Sequence, residues 1–231
     1  MNTLVILLCV WFPNNFQKIF GMDYDNAVKK ITKHKNEISF FSSYYKTDTS
    51  VIASTIFPEM IRYSSFSDFI ETKALEMLYT DFGKEAADFS IGDYQMKPSF
   101  AENIEFEVES EAKLKQKYQV LNGFKDTALR VKRMERLMRL QNTNWQMIYV
   151  NAFFDIVSLK TENIHWKNQT EKIRFFATAY NSNFKQSISY IENQYTHCNF
   201  PYGQKYNGKQ YNYADVSIYF YANTFQNIFT N

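Results

Sequence analysis

The stretch "TDTSVIASTIFPEMIRYS", residues 47–64, decides how the chain is read. Val51, Ile52, Ala53, Ile56, Phe57, Met60 and Ile61 fall at helical spacing, with Thr49 or Ser50 in front of them as an N-cap. The pattern predicts an apolar helix, and one residue disturbs it. Pro58 removes a backbone donor and crowds the carbonyl of Ser54, so the helix is expected to kink or restart there. Glu59 follows at once, among Phe57, Met60 and Ile61. A carboxyl group in such surroundings is partly desolvated and holds its proton closer to neutral pH, the state a general acid needs. The plainer alternative is a surface glutamate at a helix end.

Outward from this helix the pattern repeats. "DNAVKKITKHKNEISFFSSYY" (25–45) alternates apolar and charged residues helically, and "SDFIETKALEMLYTDFGKEAADF" (67–89) reads as a helix capped by Ser67 and stopped by Gly83. "FAENIEFEVESEAKLKQKYQVL" (100–121) carries Glu102, Glu105, Glu107, Glu109 and Glu111; helix is favoured over strand, with the glutamates as a solvated face. A long helical pattern from Ala128 to Lys160, capped by Asp126 or Thr127, breaks near Asn142–Asn144. "NQTEKIRFFATAYNSNF" (168–184) adds another helix, and a Tyr-rich tail starts as a loop and ends as a helix. The expected fold class is mainly α, one domain over 18–231.

Composition narrows the function classes. With 45% apolar and 18% aromatic residues the chain has ample core material. Its 26 basic and 24 acidic side chains, net +2, are too evenly balanced for the broad field that nucleic-acid binding needs. In the most basic stretch, "RVKRMERLMRL" (130–140), Arg130, Lys132, Arg133, Arg136 and Arg139 read as a solvated helix face. The opening "MNTLVILLCVWFP" is too short to span a bilayer but suits the apolar region of a secretory signal, so residues 1–17 are expected to be a leader and the mature chain to lack a transmembrane segment. Lipid attachment at Cys9 is the alternative. After removal of the leader Cys198 stands alone, and His34, His165 and His197 are scattered, so neither a disulfide nor a metal site is expected, and no cofactor.

Between the helices lies "DFSIGDYQMKPSF" (88–100). Gly92 permits a tight turn, Pro98 bars a helix through Lys97, and Ser90 and Gln95 offer polar groups to a polyhydroxyl or acetamido ligand. Alone, it is a connecting loop; likewise "FFATAYNSNF" (175–184) alone is core packing with Asn181 at a helix exit.

The order is what matters: a helix ending in Glu59, then "SIGDYQM", then a helix ending in "ATAYN". This resembles the lysozyme-like lytic transglycosylases, the superfamily of soluble lytic transglycosylases and goose-type lysozymes, over roughly Val51–Asn181. The resemblance implies a lysozyme-like helical domain with a substrate cleft and peptidoglycan glycan strands as partner. It implies Glu59 as the sole catalytic carboxylate, with Glu71 and Glu76 in reserve, and Ser90, Gln95, Tyr180 and Asn181 as substrate-binding residues. Met60 stands where the family has serine, and Asp93–Tyr94 where it has Gly-Leu.

As the family implies, Glu59 protonates the oxygen between N-acetylmuramic acid and N-acetylglucosamine. The acetamido group attacks the anomeric carbon, and Glu59 then takes the 6-hydroxyl proton to close a 1,6-anhydro ring. Tyr180 is expected to donate to Glu59 or to the acetamide. An inverting muramidase would need a second carboxylate, Asp93 or Asp88. A non-catalytic peptidoglycan-binding envelope protein and a purely structural helical protein are the further alternatives. An exported, periplasmic or envelope-associated location goes with the leader, and an envelope or secretion machine is a further expected partner.

Overall fold

The computed structural model describes residues 14–65, 69–203 and 206–230. Met1–Pro13, which make up most of the expected leader, and the expected cap Ser67 lie outside the described residues, as does the side chain of Glu71. The chain is mainly α, in agreement with the helical periodicity. In order it forms α1 (Phe16–Phe20), α2 (Met22–Lys33), α3 (Lys35–Tyr45), α4 (Thr49–Ser65), α5 (Phe69–Phe82), α6 (Pro98–Ser110), α7 (Ala112–Lys117) and α8 (Gln119–Asn122). It continues with α9 (Leu129–Leu140), α10 (Thr143–Lys160), α11 (Gln169–Asn181), α12 (Ile188–Asn193) and α13 (Tyr213–Phe220), which passes through a π-helical turn (Tyr221–Phe225) into α14 (Gln226–Phe229). β-pairing among the described residues is limited to two isolated antiparallel bridges, Ile91 with Met96 and Phe200 with Tyr211.

Helix α4 is the centre. Residues 51–61 are all buried, with α2, α3, α11 and α13 packed around them. A helix dry on every side is a core helix rather than a surface one. It runs unbroken through Pro58, so the expected restart does not occur. The missing hydrogen bond is tolerated because neighbours hold the helix from several directions: Phe57 stacks on Phe220 with ring centres 4.0 Å apart and meets Tyr24 edge-on at 5.0 Å. Its N-terminal donors are taken by Asp48 rather than Thr49 or Ser50, since the Asp48 carboxylate accepts from the Ser50 and Val51 amides. Phe16, inside the expected leader span, is buried against Tyr211 and Tyr219, so packing of the domain begins ahead of Lys18.

Two expectations about charge are corrected. The acidic run of α6 is not uniformly solvated, and neither is the basic face of α9: Glu105 is 6% exposed, Arg136 7% and Arg139 3%. The Arg136 Nε donates to both Glu105 oxygens, at 2.9 and 3.1 Å, and the Tyr149 hydroxyl donates to Glu105 at 2.7 Å. Arg139 donates to the Leu121 and Gly123 carbonyls that close the α8 turn. Each buried charge has a partner on another helix, which is why it can leave water. Arg130 stays exposed, paired with Asp81 at the surface. No helix among the described residues is long and apolar enough to cross a membrane.

Candidate functional site

Residues 88–97 form a small pinched turn. Ile91 and Met96 exchange backbone hydrogen bonds at 2.9 and 3.0 Å, and Gly92 (φ 70°) and Gln95 (φ 48°) both take left-handed conformations to close it. Gly92 is required twice over, because a Cβ there would stand 2.1 Å from Gln146 Nε2 and 2.6 Å from the Leu140 carbonyl. Gln146, fully buried on α10, is the post to which the turn is tied. It donates to the Ile91 and Leu140 carbonyls at 2.7 Å and accepts from the Tyr94 amide at 3.2 Å.

A groove of about 290 Å3 lies between this turn, α4 and the end of α11. Glu59, Ser90, Gln95, Tyr180 and Asn181 all line it, so the structure brings together every site residue expected from the sequence. Lys97, Ser99, Asn103 and Asn183 add polar groups, and Phe100 and Phe184 add ring surface.

Glu59 is 3% exposed at the inner wall. Burial pushes its carboxyl above the usual glutamate range, while the Arg62 charge, the nearby Tyr213 hydroxyl and Lys97 pull the other way without cancelling the rise. Arg62, one turn on, was not singled out by the sequence. Its Nη1 donates to both Glu59 oxygens at 2.9 and 3.1 Å, its Nε to the Pro201 carbonyl at 3.2 Å, and its Nη2 to Asn181 Oδ1 at 3.4 Å. The guanidinium also lies over the Phe200 ring, 5.2 Å from its centre. The i,i+3 spacing on one helix face was the available signal. Tyr213, from the Tyr-rich tail, is the second residue missed. Its hydroxyl donates to the Thr55 carbonyl at 2.8 Å beside the acid.

Tyr180 does not hold Glu59 as expected. Its hydroxyl donates to the Tyr94 carbonyl at 2.9 Å and thereby fastens α11 to the turn. Gln95 likewise spends an amide hydrogen within the turn, on the Gly92 carbonyl. Asp93 points away from the groove, where Lys30 (2.7 Å) and His34 (3.0 Å) hold it. Asp88 does line the groove, with its carboxylate accepting from the Ser99 amide and hydroxyl. Glu76, the described reserve acid, lies elsewhere, paired with Lys73 and Gln141.

No family model, curated protein or solved structure matches the chain.

Proposed function

We propose that the groove binds glycan strands and that Glu59 cleaves them as a lytic transglycosylase, acting on the bond between N-acetylmuramic acid and N-acetylglucosamine in peptidoglycan. The observation that carries this reading is the convergence of a dry carboxyl with Ser90, Gln95 and Asn181 on one polar groove flanked by Phe100 and Phe184. Hydroxyls and amides suit a polyhydroxyl ligand, and a desolvated acid suits proton delivery to a leaving oxygen. The protonated Glu59 gives its proton to the glycosidic oxygen as that bond breaks. The substrate acetamide covers the anomeric carbon, and the Glu59 carboxylate takes the 6-hydroxyl proton as the anhydro ring forms. Tyr180 shapes the groove through the turn instead of touching the acid.

Two features favour other readings. The Arg62 pair on Glu59 favours a non-catalytic glycan-binding protein, in which the glutamate serves to hold the guanidinium. Asp88 at the groove leaves an inverting hydrolase open, with Asp93 already engaged by Lys30 and His34. One experiment separates all three: purified peptidoglycan is digested with the protein and the soluble fragments are identified by mass. Anhydro-muramyl ends that disappear with Glu59→Gln support the lyase, and reducing ends that disappear with Asp88→Asn support the hydrolase. Binding without fragments leaves the non-catalytic reading.

A further inference from the structure

A second hollow, of about 270 Å3, adjoins the groove across Asn181, Ser182 and Asn183, which line both. Its other walls come from α12, the short 3-10 turn Gln194–Thr196 with the segment after it, and the start of α13. These walls are fixed in place by Asn212, itself 6% exposed. Its Nδ2 donates to the Tyr195 and His197 carbonyls at 2.9 Å, and its Oδ1 accepts from the Asp215 amide. The hollow is thus formed before any ligand arrives. None of its lining residues is Asp, Glu, Lys or Arg, whereas Glu59, Arg62, Asp88 and Lys97 all stand in the groove. His197 is the one group there that gains a charge by taking up a proton. What the hollow offers is amide and hydroxyl. Among the described residues, the side chains of Gln194 and Asn199, the Tyr190 hydroxyl and Asn183 Nδ2 have no hydrogen-bond partner, Asn183 using only its Oδ1, on the Lys185 amide.

We infer that this hollow is a second binding site, for an uncharged peptide segment held through its main chain. An Asn or Gln amide carries a donor and an acceptor in one plane, and so does a peptide group, so the two pair through both atoms at once. A sugar spreads single hydroxyls around a puckered ring and matches such planar pairs less well. Walls without permanent charge return nothing for the water that a charged side chain gives up, so they select against one. The site does not depend on the glycan reading, because Tyr190, Gln194 and Asn199 lie outside the groove.

The test titrates the nitrogen-15-labelled full chain with N-acetyl-alanyl-alanine amide and follows the side-chain amide signals of Asn183, Gln194 and Asn199 by NMR. These are expected to shift saturably, with a Kd of about 1–10 mM. Gln194→Ala and Asn199→Ala should each weaken binding about three- to tenfold, and Tyr190→Phe by less, while signals remote from the hollow stay in place and show that each variant is folded. Glu59→Gln should leave the dipeptide affinity unchanged. Blocked dipeptides of glutamate or of lysine should bind at least about fivefold more weakly. Tighter binding of either charged dipeptide overturns the inference, as does an affinity that survives both alanine substitutions. So does the absence of saturable shifts, or a disaccharide of N-acetylglucosamine that moves these amide signals at lower concentration than the alanine dipeptide. The glycan reading is untouched by any of these, since it is decided by the products released from peptidoglycan.

Discussion

The Tyr180 hydroxyl donates to the Tyr94 carbonyl at 2.9 Å, across 86 positions of sequence, and this bond joins the end of α11 to the turn that forms one bank of the groove. Both groups are out of water. Tyr180→Phe strands the Tyr94 carbonyl without its partner, and the expected cost is about 1–3 kcal/mol in urea unfolding. If the turn is held mainly from α10 through Gln146, the loss will fall below this range.

Gly92→Ala is expected to be worse tolerated than its one added methyl suggests. The positive φ disfavours any Cβ, and the space is already filled by Gln146 Nε2 and the Leu140 carbonyl. A loss of about 1–3 kcal/mol follows from backbone strain alone, with displacement of Gln146 in addition. The comparison that checks it is Gly203→Ala, where φ is also positive but nothing lies within 4 Å. That variant should lose less.

Arg136→Met leaves Glu105 buried without its guanidinium, so thermal unfolding should show a loss of about 3–5 kcal/mol. Adding Glu105→Gln removes the stranded charge and keeps an oxygen to accept from Tyr149. The double variant should then be more stable than Arg136→Met alone. A double variant less stable than the single one would show that the charge was not what hurt.

Asp93 sets an acid limit on stability. Burial pushes its carboxyl up, but the hydrogen bonds and charges of His34 and Lys30 outweigh burial and hold it well below the usual aspartate range. A carboxyl more acidic in the folded chain than in the unfolded one stabilises fully above its unfolded pKa, about 3.9. That contribution is lost as pH falls toward the lower folded value. The gap between the parent chain and Asp93→Asn, about 1–3 kcal/mol at pH 7, should therefore shrink below about pH 4. Urea titrations at pH 7, 4 and 3 measure it.

The residues that the sequence made legible share a property: each declares itself through its immediate neighbours. Gly92 between Ile91 and Asp93 announces a turn, the apolar run through Ile61 announces a core helix, and Asn142 announces the break where it caps α10 by accepting from the Asn144 and Trp145 amides. What stayed hidden depends on partners far away in the chain. Glu105 and Arg136 look like surface charges until α6 and α9 meet, 31 positions apart. The Tyr180 hydroxyl donates to the Tyr94 carbonyl, 86 positions away, instead of to Glu59. The same cause explains why Asp93 is lost to the groove: Lys30 and His34 sit on the far side of the turn, on or beside α2. Arg62 alone had a local signal, one helical turn from Glu59, and a charged residue at such spacing is ordinary enough to pass unremarked.

Tyr213 reaches the Thr55 carbonyl from 158 positions away, and so the wall behind Glu59 is synthesised long after α4 itself. Until α13 docks on α4, Glu59 lacks the cover that this helix supplies. The burial of Glu59 is thus completed by a helix that follows every residue lining the groove.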